Sequence, residues 1–299
     1  MNILKKSILA SCAFFTVGST VALAQSSAME IQIQQPKKEI AIQPNMWGIF
    51  FEDINFAADG GLYAEMVKNR SFEFINSPLM GWVAYGPHEI RTDNPSFERN
   101  PHYIRLSNQG LRSGTGLVNE GFRGMGVVKD ETYRVVFYAR TVETPEMKVQ
   151  FEFMNSDGNN GGRVEVVVNS SNWTKYEAIL TASTTDEKAR LRLNTTNLGT
   201  IDVDHISLFP TKTWKNRTNG LRLDLAQALA DLNPKVFRFP GGCIIEGNTL
   251  ETRYNWKNSV GPVENRPINE NRWNYTFQHR FTPDYFQTYG LGFFEFFQF

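Results

Sequence analysis

Two short apolar runs, Met46–Phe51 (MWGIFF) and Lys235–Phe239 (KVFRF), flank a long stretch in which apolar and polar residues alternate. This change of period constrains the fold more than any other feature. A nearly continuous apolar run reads as a strand buried on both faces, as in a parallel sheet. Strict alternation reads instead as strands with one wet face. Between Phe72 and Phe209 the alternating segments recur at Tyr133–Thr141, Lys148–Met154, Val164–Val168, Tyr176–Leu180 and Ala189–Leu193. Turn clusters such as Asn155-Ser156-Asp157-Gly158 separate them, which predicts an antiparallel β-sandwich, most simply a jelly roll. After Thr218 the period becomes helical through Leu221, Leu225, Ala228, Leu229 and Leu232, with Asn219 as N-cap and Asn233-Pro234 as the stop. A further helical turn is expected over Leu62–Val67, after Gly60-Gly61. Removing the sandwich leaves strand, helix, strand. That is the repeat of a parallel α/β architecture whose crossover a domain has interrupted.

Upstream, Met29–Gln35 and Glu39–Gln43 alternate, with Ile31, Ile33, Ile40 and Ile42 in one periodicity, and predict short half-buried strands. At the N-terminus, Lys5 and Lys6 precede the apolar run Ser7–Val17, and Ala22-Leu23-Ala24 forms a small-residue cleavage pattern. This is the layout of a secretory signal peptide, too short to remain as a membrane anchor. A secreted or periplasmic location is expected. Cleavage after Ala24 removes Cys12 and leaves Cys243 alone, so no internal disulfide is expected. Lys and Arg total 31, as do Asp and Glu, and no basic block exceeds a pair, which argues against a nucleic-acid partner. The four histidines, His88, His102, His205 and His279, lack ligand spacing, and the Asn/Gly turn at 155–162 lacks the spacing and distal Glu of a calcium loop. No cofactor is expected.

In parallel α/β barrels, functional groups sit at the C-terminal ends of the strands. Here those ends are Glu52-Asp53 on the first strand and Pro240-Gly241-Gly242-Cys243 on the second. Neighbouring strand residues point to opposite sides, so at most one of Glu52 and Asp53 faces a site. The other should cap backbone groups or bind a loop. Gly241-Gly242 allows either close approach of a ligand or a turn with positive φ. Cys243 has no histidine beside it in sequence, which favours packing or site lining over nucleophilic attack. Read from residues alone, Glu52 and Glu246 could form the carboxylate pair of a retaining glycosidase, ~5 Å apart. Solvated acids at a strand end would explain Glu52 and Asp53 equally well.

The blocks GIFFEDINFAADGGLYAEMVKNRSFEF, NGLRLDLAQALADLNPKVFRFPGGCIIEG, RYNWKNSVGP and YGLGFFEFFQ, in this order, resemble the α-L-arabinofuranosidases of glycoside hydrolase family 51. The resemblance implies a (β/α)8 barrel, a terminal β-sandwich that would include Ile31–Ile42, and a carbohydrate-binding-like module inserted after the first barrel strand. The division it suggests is a signal peptide at 1–24, the N-terminal strands and first barrel strand at 25–72, the jelly-roll module at 73–212, and continuation of the barrel at 213–299. The implied activity is retaining removal of non-reducing-end α-L-arabinofuranosyl groups from arabinose-containing plant oligo- or polysaccharides. Glu52 matches the Glu that hydrogen-bonds the arabinofuranose, Gly242 lies in the paired-glycine turn, and Trp273 lies near a substrate-lining aromatic. Cys243 falls where many intracellular relatives carry an Asn that contacts the sugar, and a thiol cannot copy an amide's paired donor and acceptor. The resemblance also displaces the Glu52 and Glu246 pairing, because the family's acid/base and nucleophile lie on the fourth and seventh barrel strands. Phe299 falls within the expected helix after strand two, so the chain reads as an N-terminal part, inactive alone. A non-catalytic carbohydrate-binding protein that uses the jelly roll is the competing expectation.

Overall fold

The computed structural model describes residues 31–34, 41–112, 114–274 and 285–299. The expected signal peptide lies outside them. Residues 31–34 and 41–42 carry no strand, and their isoleucines are exposed, Ile33 by 90%. The half-buried strands expected there are therefore not formed over these residues, since no sheet among the described residues covers the apolar side of the alternation. Residues 43–299 form one unit.

In chain order, the strands of that unit are β1 Gly48–Phe50, β2 Trp82–Tyr85, β3 His88–Arg91, β4 Tyr103–Asn108, β5 Thr115–Asn119, β6 Met125–Val127 and β7 Thr132–Val142. They continue as β8 Met147–Met154, β9 Asn160–Val168, β10 Thr174–Thr181, β11 Asp186–Thr195, β12 Gly199–Pro210, β13 Val236–Arg238, β14 Asn269–Glu270 and β15 Phe286–Gln287. The helices are α1 Leu223–Asp231, α2 Cys243–Glu246 and α3 Phe293–Gln298.

The alternating segments build two antiparallel sheets, one ordered β10-β7-β12-β4-β3 and one ordered β2-β5-β11-β8-β9 with β6 on β11. Their inward residues share a single apolar core, in which Phe137 lies 4.9 Å from Phe151, centroid to centroid, and 5.5 Å from Tyr176. Period two explains this directly, because every second side chain of β7, β8 and β11 points inward and is sealed from water. In β12 the register slips between Asp204 and Ser207, with His205 at φ 44°, which is a β-bulge. Val67 and Phe72, upstream of β2, also enter this core.

β1 and β13 pair in parallel, Ile49 opposite Phe237, with the whole sandwich and α1 between them in sequence. This is the strand, helix, strand order read from the sequence. The expectation that Met46–Phe51 is buried on both faces is corrected: the strand is only Gly48–Phe50, and Phe50 is 52% exposed. Among the described residues β1 has one neighbouring strand, so nothing covers its other edge. Two helical expectations also change. Leu62–Val67 forms turns and bridges and no helix, because Tyr63 bridges both Asp59 and Leu221. In α1 the N-cap is Arg222 and not Asn219, which takes φ 52° and accepts a hydrogen bond from Arg134. The buried side of α1 carries Ala226, while Leu232 just beyond it is exposed.

A buried ionic cluster ties the sandwich to the segment after β1. Arg70 lies 3.4 Å from Asp59 and 3.6 Å from Glu65. Glu65 in turn accepts hydrogen bonds from the Ser207 hydroxyl and the Leu208 amide of β12. Desolvation pushes the Glu65 carboxyl up to about 7, against the opposing pull of Arg70. Phe137→Ala should destabilise the sandwich by about 3–5 kcal/mol, the range for a fully buried Phe. Chemical denaturation read by tryptophan fluorescence checks this, with a lower midpoint expected.

Candidate functional site

β1 ends at Phe50, and its ladder runs one step further through the Phe51 amide, which donates to the Arg238 carbonyl at 2.9 Å. The next two residues are Glu52 and Asp53, and they diverge as strand geometry requires. Glu52 Oε1 accepts hydrogen bonds from the backbone amides of Gly242 (3.1 Å) and Ile244 (3.0 Å), at the start of α2. Its other oxygen, Oε2, takes no hydrogen bond from any described residue.

Asp53 turns the opposite way and is buried. It accepts from the Ala58 amide at 3.0 Å and from the Tyr285 hydroxyl at 2.7 Å. Burial pushes its carboxyl up to about 6, with the nearby Asp59 adding to the rise and the two hydrogen bonds opposing it. Both acids thus accept from backbone amides, Glu52 from Gly242 and Ile244 and Asp53 from Ala58, on opposite sides of the strand end.

The two glycines do different work. Gly241 has φ 150°, and a Cβ there would lie 2.6 Å from Glu52 Cγ, so any side chain would displace the carboxylate. A Cβ on Gly242 would meet only ordinary contacts, the nearest being Arg238 Nη2 at 3.7 Å. Arg238 stacks on Phe50, with its guanidinium carbon 4.5 Å from the ring centroid, and both Arg238 and Glu52 border Gly242. Cys243 is a free, half-buried thiol in the turn that holds Glu52.

Trp273 is half-buried in the turn Arg272–Asn274. Arg272 donates to Glu246 at 3.0 Å and to the Gly247 carbonyl at 2.8 Å, and Asn271 donates to the Asp53 carbonyl at 3.0 Å. The structure thus brings Glu52, Gly242 and Cys243 into one contact group and ties the Trp273 turn to it through Arg272 and Asn271. Glu246 is an exposed partner of Arg272 and turns away from the role of second carboxylate. Arg238, Asn271 and Tyr285 were not singled out from sequence. Arg238 carried a signal, a lone charge within an apolar strand; the other two lie 218 and 232 residues from their Asp53 partner and carried none. Clefts of about 240 Å³ lie elsewhere, one lined by Tyr63, Glu65 and Phe122 and one by Trp214 and Phe294, and neither includes Glu52. The Glu52 turn presents a carboxylate oxygen fixed by two amides beside a half-buried thiol.

Residues 228–299 match the family described as Alpha-L-arabinofuranosidase 1 domain, and residues 64–200 match that described as Carbohydrate binding domain. The chain is 36% identical over 288 residues to the extracellular exo-α-L-arabinofuranosidase of Streptomyces chartreusis, covering 90% of this chain and 32% of that protein. It is 36% identical over 314 residues to α-L-arabinofuranosidase 1 of Arabidopsis thaliana, covering 95% of this chain and 44% of that protein. The arabinose-bound MgGH51 α-L-arabinofuranosidase matches in structure with a TM-score of 0.75 and 29% identity, over 85% of this chain and 42% of its own. The chain thus spans about a third to under half of the length of these relatives.

A raised carboxyl pKa fixes the sign of a pH effect. The stabilisation from protonated, buried Asp53 is fully present below its unfolded pKa near 3.8 and is lost as pH rises through about 6. Asp53→Asn keeps both acceptor contacts without the charge. Between pH 4 and pH 7.5 the variant should therefore gain up to about 3 kcal/mol relative to the wild type. Parallel denaturation curves at the two pH values test this, and equal shifts at both would contradict it.

Proposed function

Because this chain matches an exo-α-L-arabinofuranosidase over 90% of its length and the MgGH51 α-L-arabinofuranosidase structure over 85%, we propose that it supplies the sugar-holding part of an exported, retaining α-L-arabinofuranosidase of glycoside hydrolase family 51. Its substrates would be terminal α-L-arabinofuranosyl groups on plant polysaccharides. The observation that carries the reading is Glu52: two amides fix one carboxylate oxygen and leave the other as a directed acceptor for a sugar hydroxyl. In a retaining mechanism two further carboxylates form and break the glycosyl-enzyme bond. Glu52 has a different task. It orients the ring, so that binding energy is directed at the reacting carbon.

On this reading β1 and β13 are the first two strands of a (β/α)8 barrel, and residues 73–212 form a carbohydrate-binding-like module within its first crossover. The single apolar core shared by both sheets supports an independently folding module. Limited proteolysis should leave a fragment near 73–212 intact, and cutting within 148–193 as fast as in the flanks would count against it. The apolar pattern of residues 7–17 and the small residues at 22–24 support export. Trp273 would line the sugar, and Cys243 would sit at a contact position where the thiol gives up an amide's hydrogen bonds.

The test is titration of the purified chain with a methyl α-L-arabinofuranoside. Glu52→Gln keeps the shape and the amide contacts but converts the free acceptor into a donor. Affinity should fall by about tenfold or more, in line with the ~1.5–3 kcal/mol of a hydrogen bond to a charged group. Cys243→Asn should raise affinity. Thermal stability should stay unchanged in both variants, and wild-type affinity in Glu52→Gln would refute the assignment.

A further inference from the structure

The two outer faces of the sandwich differ. On the β10-β7-β12-β4-β3 sheet the outer face is occupied: the Tyr138 hydroxyl donates to Glu264 at 3.2 Å, and Asn100 donates to the carbonyls of Glu264 and Arg266, both at 2.8 Å. On the β2-β5-β11-β8-β9 sheet it is open to water, with Val83 67% exposed.

That open face carries a built surface. Tyr85, Gly116, Asn194 and Gln150 form one cross-strand row, by the pairings Tyr85 with Gly116, Gly116 with Asn194, and Asn194 with Gln150. A Cβ at position 116 would lie 2.6 Å from the Tyr85 hydroxyl oxygen and 2.9 Å from its ring carbon Cζ, so the glycine lets the tyrosine lie down across the strand. The Tyr85 hydroxyl then donates to Asn194 Oδ1 at 3.2 Å. A ring laid flat on a sheet beside two carboxamides offers a stacking platform with hydrogen-bonding groups at its edge.

The adjoining row is charged. Arg192 pairs with Glu152, a carboxylate buried to 4% exposure, and Arg163 stands opposite Glu152 on the other side. The Arg192 Nε is buried without a hydrogen-bond partner among the described residues. Arg163 and Arg190 are exposed on this face, and neither has an ion-pair partner among the described residues. Glu165, opposite Gln150, is a further carboxylate of this face and accepts from the Thr196 hydroxyl, and Asp186 and Glu187 stand at the start of β11. Guanidinium groups bind carboxylates through two parallel hydrogen bonds. Arg163 and Arg190 stand two strands apart and one row out of step, ~12 Å between backbones, which leaves room for a sugar ring between them.

We propose that this open sheet face binds a polysaccharide bearing uronic-acid carboxylates, with a sugar ring stacked on Tyr85, its hydroxyls on Asn194 and Gln150, and its carboxylates on Arg163 and Arg190. The proposal rests on the reading of the chain as polysaccharide-handling and specifies the glycan.

The experiment compares binding of the full chain to glucuronic-acid-bearing xylan, to the same xylan after carboxyl reduction, and to poly-glutamate, by affinity electrophoresis and calorimetry at two salt concentrations. The native xylan should bind about tenfold tighter than the reduced one, and this advantage should shrink at high salt. Arg163→Ala with Arg190→Ala should erase the advantage and leave reduced-xylan binding in place. Tyr85→Ala should remove both. Equal binding of the two xylans, or an advantage that survives the double variant, overturns the proposal while polysaccharide handling stands. Poly-glutamate binding as tight as native xylan overturns it too, since charge alone would then suffice. Binding to neither xylan overturns the proposal, and the arabinofuranoside titration then decides whether the broader reading also falls.

Discussion

The fold depends on one contact of high sequence separation, the parallel pairing of Gly48–Phe50 with Val236–Arg238. Everything inserted between the two strands has to leave and return within one short edge. The pairing needs glycine at 48, since a Cβ there would lie 2.1 Å from the Val236 carbonyl oxygen. It also sets the site. The strands run parallel, so their C-terminal ends share a side, and Glu52 comes within reach of the Gly242 and Ile244 amides. Parallel strands require a crossover. Here that crossover holds a complete two-sheet structure as well as α1, and the loop-closure cost of the longer connection grows only logarithmically with length.

A second constraint ties the two-sheet structure to the segment after β1. The Arg70, Asp59 and Glu65 cluster is buried and is bonded on one side to β12 and on the other to Thr288, whose hydroxyl donates to Asp59 at 2.5 Å. Burying such a group is costly, and removing one partner leaves an uncompensated charge. Its geometry permits few alternatives. Apolar packing alone would let the module slide, whereas a charged fork with three directional partners would not.

What the sequence made legible follows from exposure. Strands β7 to β11 alternate because one face is wet and the other dry, and each was read within a few residues. Strand β3 shows no clean alternation, β6 is three residues long and too short to register a period, and the β12 bulge with buried Asp202 and Asp204 breaks the rule that polar residues face water. At the site, the divergence of Glu52 and Asp53 follows from strand geometry, and the paired glycines announce a turn. Tyr285 and Asn271 were invisible because a hydrogen bond across more than two hundred residues leaves no local pattern. The expectation of a doubly buried Met46–Phe51 failed for a related reason: apolar content reports what a strand can bury, and the number of its neighbours decides what it does bury.

The occupied outer face of the five-stranded sheet has a consequence for how two sugar-facing surfaces could cooperate. One side of the sandwich is used up against the segment around Glu264, and the open side lies across a core about 10 Å thick. If both surfaces bind sugar, the open face and the Glu52 turn engage it through separate sets of residues. The two would act as separate footholds, with the first raising the effective concentration of chain ends around the second. Gain from such an arrangement depends on the length and flexibility of the glycan between the footholds. Long, branched polymers would profit from it, and short oligosaccharides would not.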